Sequence, residues 1–141
     1  MTRQRTDGDP GAIESGTGKL RILCAEDDEH VATMLRYALE RSGHVVEQVG
    51  DGSDALTRIN ADPNRFALLV TDHEMPSVSG LQLVEEVRRT AFAGRIVIHS
   101  SELRAPDAAA YLALSVDHIF TKPARLEEFI TVVNRLVGVA P

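Results

Sequence analysis

Short apolar runs and helix-spaced segments alternate five times along this chain, and that alternation constrains the fold more than any other feature. The runs are LRILCA (20–25), VVEQV (45–49), FALLVT (66–71), RIVIHS (95–100) and HIFT (118–121). Each has the length and the aliphatic content of a strand. Between them, apolar residues recur at helical spacing. The stripes are Val31, Met34, Leu35 and Ala38; Ala55, Leu56 and Ile59 after the Asp-Gly-Ser-Asp start at 51–54; Leu81, Val84 and Val87; 108–114 behind Pro106; and Leu126, Phe129, Ile130 and Val133. The first and third runs are apolar nearly throughout, as in strands covered on both faces. Five strand–helix units in about 120 residues predict an α/β fold with a doubly wound, five-stranded parallel sheet, right-handed crossovers and helices on both faces.

In such sheets a ligand site lies beyond the carboxyl ends of the strands. Here the first run leads into Glu26-Asp27-Asp28-Glu29, the third into Asp72, the fourth into Ser100-Ser101 and the fifth into Thr121-Lys122-Pro123. The second reaches Val49-Gly50 with nothing ionisable before Asp51. Acids, a hydroxyl and a lysine therefore meet on one edge of the sheet. Carboxylates held close repel one another unless a cation sits between them. Oxygen-only donors select Mg²⁺ or Ca²⁺, and Mg²⁺ uses one or two carboxylates while keeping positions for phosphate oxygens. A lysine and a serine beside it suit an anion. The set reads as a receptor for a phosphoryl group on, or arriving at, a carboxylate, with Asp72 as the natural nucleophile. The competing role for Asp28 and Glu29 is to cap the following helix.

ILCAEDDE (22–29), LLVTDHEMPSVSG (68–80), VIHSS (97–101) and TKP (121–123) together resemble a response-regulator receiver domain of two-component signalling, over about residues 20–137. The resemblance implies a flavodoxin-like, CheY-like (βα)5 sandwich with Mg²⁺ as cofactor. It makes Asp72 the phosphoacceptor, Glu26 and Asp27 the metal-holding acidic pair (Asp28 a lesser substitute) and Glu74 a metal ligand through its backbone carbonyl. Ser100 matches the switch hydroxyl and Lys122 the lysine of the family, while Met75-Pro76 and Gly80 shape the loop after the acceptor. The implied partners are a histidine kinase or histidine phosphotransfer domain and an unknown downstream protein. The implied setting is a stand-alone regulator or the receiver of a hybrid kinase, a switch rather than a turnover enzyme.

The chain departs from the family pattern at Ile119, the switch position, where Tyr or Phe usually stands three residues before the lysine. Ile is β-branched and lacks a polar tip, which predicts altered or weaker coupling through the face of the fourth helix, fifth strand and fifth helix. Ser115 and Val116 stand where a Gly and an Ala are common. Phe120 points to the opposite face from Ile119 and reads as core. His73 is expected to face solvent, and neither it nor His99 suits a carboxylate metal site. Glu74 and Glu102 lie two positions beyond Asp72 and Ser100, where the family tunes hydrolysis; two acids there either position a water or repel an anion.

Two other functions compete. An unphosphorylated receiver-like interaction module is kept open by Ile119 and opposed by the complete acid, serine and lysine set. An Asp-nucleophile, Mg²⁺-dependent phosphatase would carry a second Asp where Glu74 stands, and a cap insertion. Flavin binding needs a phosphate cradle where the chain has acids.

The 141 residues suit one domain, assigned to 19–138, with a tail or linker at 1–18 and a short tail at 139–141. GTGK (16–19) is no phosphate loop: Ile13 and Leu20 occupy the places of the required Gly and Ser/Thr. A net charge of −6 without a Lys/Arg cluster argues against nucleic acid. The single cysteine, Cys24, excludes an internal disulfide and reads as core. No run approaches the ~20 residues of a membrane span and no apolar leader is visible, so a cytoplasmic protein is expected.

Overall fold

The computed structural model describes residues 20–138; the 1–18 and 139–141 tails and the GTGK stretch lie outside the described residues. The elements run β1 (Arg21–Ala25), α1 (Glu29–Arg41), β2 (Val45–Val49), α2 (Gly52–Ala61), β3 (Leu68–Thr71), α3 (Gly80–Val87), β4 (Arg95–Ser100), α4 (Ala105–Ala113), β5 (His118–Thr121) and α5 (Leu126–Val137). All strand pairs are parallel, in the order β2-β1-β3-β4-β5. This is the doubly wound (βα)5 architecture that the alternating pattern predicts.

Strand periodicity divides the core. Leu23, Leu69, Ile96 and Ile98 face one layer with Ile59 of α2, Val84 of α3 and Tyr111 of α4. Ile22, Cys24, Val70, Val97 and Phe120 face the other, with Leu35 of α1 and Phe129 of α5. Phe120 and Ile119 thus lie on opposite faces, as the pleat requires. Burial pushes the Cys24 thiol up to about 12, consistent with an inert core residue.

The sheet order reverses between β1 and β3, which opens a crevice at their carboxyl ends. Register decides what meets there. Ala25 pairs with Thr71, so the next residues, Glu26 and Asp72, come out level. Ser100 pairs with Thr121, and the Lys122 N–H donates to the Ser100 carbonyl at 2.8 Å.

Local chemistry sets the helix starts. The Asp28 carboxylate accepts from the His30 and Val31 N–H groups, Asp51 accepts from Asp54 N–H, and Ser79 with Gln82 forms a capping box. Two sequence readings shift. The inward face of α1 is Ala32, Leu35, Ala38 and Leu39, with the helix lying against β1, β2 and α5, whereas Met34 is exposed. The third strand begins at Leu68 instead of residue 66, although Ala67 already bonds to both neighbours, donating to the Arg21 carbonyl and accepting from the Arg95 N–H.

Ser115 closes α4 with φ 62°, a left-handed conformation that costs an L side chain about 1 kcal/mol. Ser115→Gly is therefore expected to raise the unfolding free energy by up to about 1 kcal/mol in urea melts. A lowered midpoint would show that the serine side chain holds the turn.

Candidate functional site

The strand ends open into a cleft of ≈ 980 Å³ whose lining includes Glu26, Asp27, Asp72, Glu74, Ser100 and Lys122. All the site residues expected from sequence, apart from the inward-packed Ile119, therefore share one cavity. Ile119 packs half-buried against the α2–α4 core layer.

Lys122 organises the centre. Its Nζ lies 3.0 Å from Asp72 Oδ2, 3.0 Å from Glu26 Oε1 and 3.2 Å from Glu26 Oε2. Glu26 and Asp72 are buried. Burial alone would lower the lysine pKa, but its hydrogen bonds to Glu26 and Asp72 outweigh that and hold it above the usual range. Burial raises Glu26, and its bonds from Lys122 and the Asp28 N–H only partly offset this, leaving it at about 6. Asp72 Oδ1 accepts the His73 N–H at 2.6 Å. Asp72 is thus bound through both oxygens, one to a cation and one to the main chain.

Carboxylate oxygens of Glu26, Asp27 and Asp72 all lie within 4.8 Å of one another. Glu26 Oε1, although near Nζ, accepts no hydrogen bond. A buried oxygen with an unused lone pair, in an all-oxygen set, fits a hard divalent cation. Asp28 is absent from this group because its carboxylate caps α1. Glu74 and Glu102 are exposed on the cleft walls, with Arg104 beside them.

His73 corrects the sequence reading. It is turned inward, with its Nδ1 2.6 Å from the Tyr111 hydroxyl and its Nε2 3.4 Å from Asp107 Oδ2. The solvent-facing expectation failed because Tyr111 and Asp107 are 38 and 34 residues away in sequence and meet His73 only when α4 packs on the sheet. Sequence reasoning did not single out either one. The signal present was their i, i+4 spacing on an alanine-rich helix, which places both on one face.

His99 is buried between the sheet and Phe129, and neither ring nitrogen has a partner. Burial, helped by the nearby Lys122 charge, lowers its pKa from 6.5 to about 4. The unfolded chain therefore binds the proton more readily, and this residue's contribution to stability is lost as the pH falls from about 6.5 toward about 4. His99→Leu is expected to stabilise by about 1 kcal/mol near neutrality. The gain should grow on acidification, read from urea midpoints at about pH 7 and about pH 5. A gain that does not change with pH would mean the imidazole titrates alike folded and unfolded.

The family model of the response regulator receiver domain matches residues 22–134. The alkaline phosphatase synthesis transcriptional regulatory protein PhoP of Bacillus subtilis is 31% identical over 103 residues, 73% of this chain and 42% of that protein. Response regulator MprA of Mycobacterium leprae is 31% identical over 118 residues, 84% of this chain and 51% of its own. The chain thus spans about half the length of these curated relatives, or less. Among solved structures, the receiver domain of Francisella response regulator 1452 has a TM-score of 0.76 at 28% identity, covering 84% of this chain and 96% of that one. A CheY-like receiver domain protein from Methanospirillum hungatei shares the fold with a TM-score of 0.78 at 19% identity, over 84% of this chain and 93% of that one.

Proposed function

The chain belongs to the response regulator receiver domain family, and from that premise we propose that it is the phosphoacceptor module of a two-component phosphorelay, with Asp72 as the acceptor. The carrying observation is the Lys122 ammonium ion-paired to both Glu26 and Asp72 across the crevice, with Asp27 beside them. Receiver domains are signalling modules, and the proposed chemistry is self-catalysed phosphoryl acceptance with slow hydrolysis. The unit is 19–138.

The donor is a phosphohistidine on a histidine kinase or phosphotransfer domain. An Asp72 carboxylate oxygen forms the new O–P bond in line with the breaking P–N bond, whose electron pair returns to the donor imidazole. Asp72 is held for this by the His73 N–H on one oxygen and by Lys122 on the other. Lys122 offsets negative charge on the transferring group, and the Ser100 side chain borders the same cleft to bind it afterwards. Glu26, Asp27 and Asp72, with the Glu74 carbonyl, would hold Mg²⁺, which when bound offsets phosphoryl charge. The acyl phosphate brings about −1.5 to −2 charges to this edge, which then alters contacts with a protein target.

The test is acetyl phosphate with Mg²⁺, read by intact mass beside Asp72→Ala and an EDTA control. A phosphoryl adduct on the wild type alone, lost with EDTA, is expected. No adduct, together with no change on adding beryllofluoride, would favour the unphosphorylated interaction module, for which Ile119 is the supporting residue.

A further inference from the structure

Helix α4 is anchored by little. Tyr111 is its only buried residue, and its N-cap, Arg104, makes no side-chain capping bond. Its carboxyl end is pinned from α3, where the Arg88 guanidinium donates to the carbonyls of Leu114 and Ser115, both at 2.8 Å. A helix fixed at one end and lightly held at the other is a candidate for a two-position element.

The helix is also tied to the acceptor through His73. The main-chain groups and Nδ1 of that residue are hydrogen-bonded, and its Nε2 lies 3.4 Å from Asp107 Oδ2. Its N–H donates to Asp72 Oδ1 at 2.6 Å, and its carbonyl accepts the Gly80 N–H at 2.8 Å. One neutral tautomer satisfies both ring contacts: the Tyr111 hydroxyl donates to Nδ1, and Nε2–H faces Asp107. The rings meet edge to face with centroids 5.5 Å apart. Tyr111 and Asp107 both sit on α4. The site therefore connects to this helix in two bonded steps, from the Asp72 carboxylate to the His73 main chain and from the His73 ring to α4.

Phosphorylation would act on the first step. In the free carboxylate, Oδ1 accepts a charge-assisted bond from the His73 N–H. Once Asp72 carries an acyl phosphate, the negative charge sits on the phosphoryl oxygens, and the carboxyl oxygens become one ester and one carbonyl oxygen. The bond to His73 then weakens by roughly half. Meanwhile Ile119, at the position where Tyr or Phe usually stands in the family, has no aromatic ring or polar tip with which to report on the site. We infer that the His73–Tyr111–Asp107 tether is the element that couples Asp72 to helix α4 in this protein. This rests on Asp72 being the acceptor.

The test uses the whole chain with beryllofluoride and Mg²⁺. Fluorine NMR of the bound complex reports loading, and amide hydrogen exchange over 105–113 reports α4. Tyr111→Phe removes one hydroxyl and keeps the ring. Loading is expected to match the wild type, while the loading-induced change in α4 exchange falls at least about five-fold. A Tyr111→Phe protein that loads and responds like the wild type overturns the inference. So does a wild type that loads with α4 silent, which leaves the acceptor reading intact. A wild type that does not load removes the acceptor reading and the inference with it. If Tyr111→Phe fails to fold, Asp107→Ala carries the test at a part-exposed position. A response cut by about half supports the tether, and an unchanged response overturns it.

Discussion

Gly80→Ala is expected to cost about 3 kcal/mol of stability and to slow phosphorylation by acetyl phosphate at least about a hundred-fold, although alanine is the better helix former. Gly80 opens α3 directly against the loop that follows Asp72. An added methyl would overlap the Asp72 carbonyl oxygen and stand 2.8 Å from Tyr111 Oη and 2.9 Å from the His73 Cα. Two of those three atoms are main chain and cannot rotate away. Relief requires α3 or the loop to move, and that takes Asp72 out of line with Glu26, Asp27 and Lys122. Gly50 is the control, because nothing lies within 4 Å of a carbon added there. Gly50→Ala should leave both readouts near wild type. Urea melts and adduct mass against time check the pair. Normal phosphorylation of Gly80→Ala would show that the loop can shift without moving the carboxylate.

Removing the cation should have the second large effect. Lys122→Met leaves Glu26 and Asp72 buried side by side, with the Asp28 and His73 N–H groups as their donors among the described residues. Breaking such a group from one side costs about 3 kcal/mol near neutral pH in metal-free buffer, and phosphorylation should fall by about two orders of magnitude. Two conditions should restore stability. Mg²⁺ replaces the lost positive charge. Acid does so by protonating a carboxylate. Glu26 already stands raised to about 6 with Lys122 pulling it down, so without the lysine it must protonate at higher pH. A carboxyl whose folded pKa lies above its unfolded value is relatively more stable when protonated, so the variant gains stability as the pH falls through that value. Melts above and below pH 6, with and without Mg²⁺, check this. A loss that neither condition relieves would assign the cost to packing of the lysine stem.

Much of the site could be read in one dimension because strand ends are local features. A β-rich run stopping at Asp72, another at Ser100 and a third before Lys122 need no knowledge of their neighbours. Parallel pairing then forces all strand ends to one edge. Phe120 as core and Ile119 on the other face follow from the pleat in the same way. The cap-or-ligand question at Asp28 was posed by sequence but answered by register: Ala25 pairing with Thr71 sets Glu26 against Asp72, while Asp28 falls at the start of α1. The stripe on α1 was misjudged at Met34 because helical spacing marks an apolar face only to within about one residue's rotation, about 100°.

Sequence by itself determined the layered α/β architecture, the edge that bears the chemistry and the residue types gathered there, since periodicity and strand termination are properties of contiguous chain. Tertiary structure alone decided the distances and the couplings. Lys122 reaches Glu26 across 96 residues and Tyr111 reaches His73 across 38. Such contacts depend on strand order, register and helix placement, which arise from packing both core layers at once and are written in no single segment. For that reason Asp72 was legible as the candidate acceptor from a run ending in aspartate, while the contact of the neighbouring His73 with Tyr111 of α4 emerged only when the helix lay against the sheet.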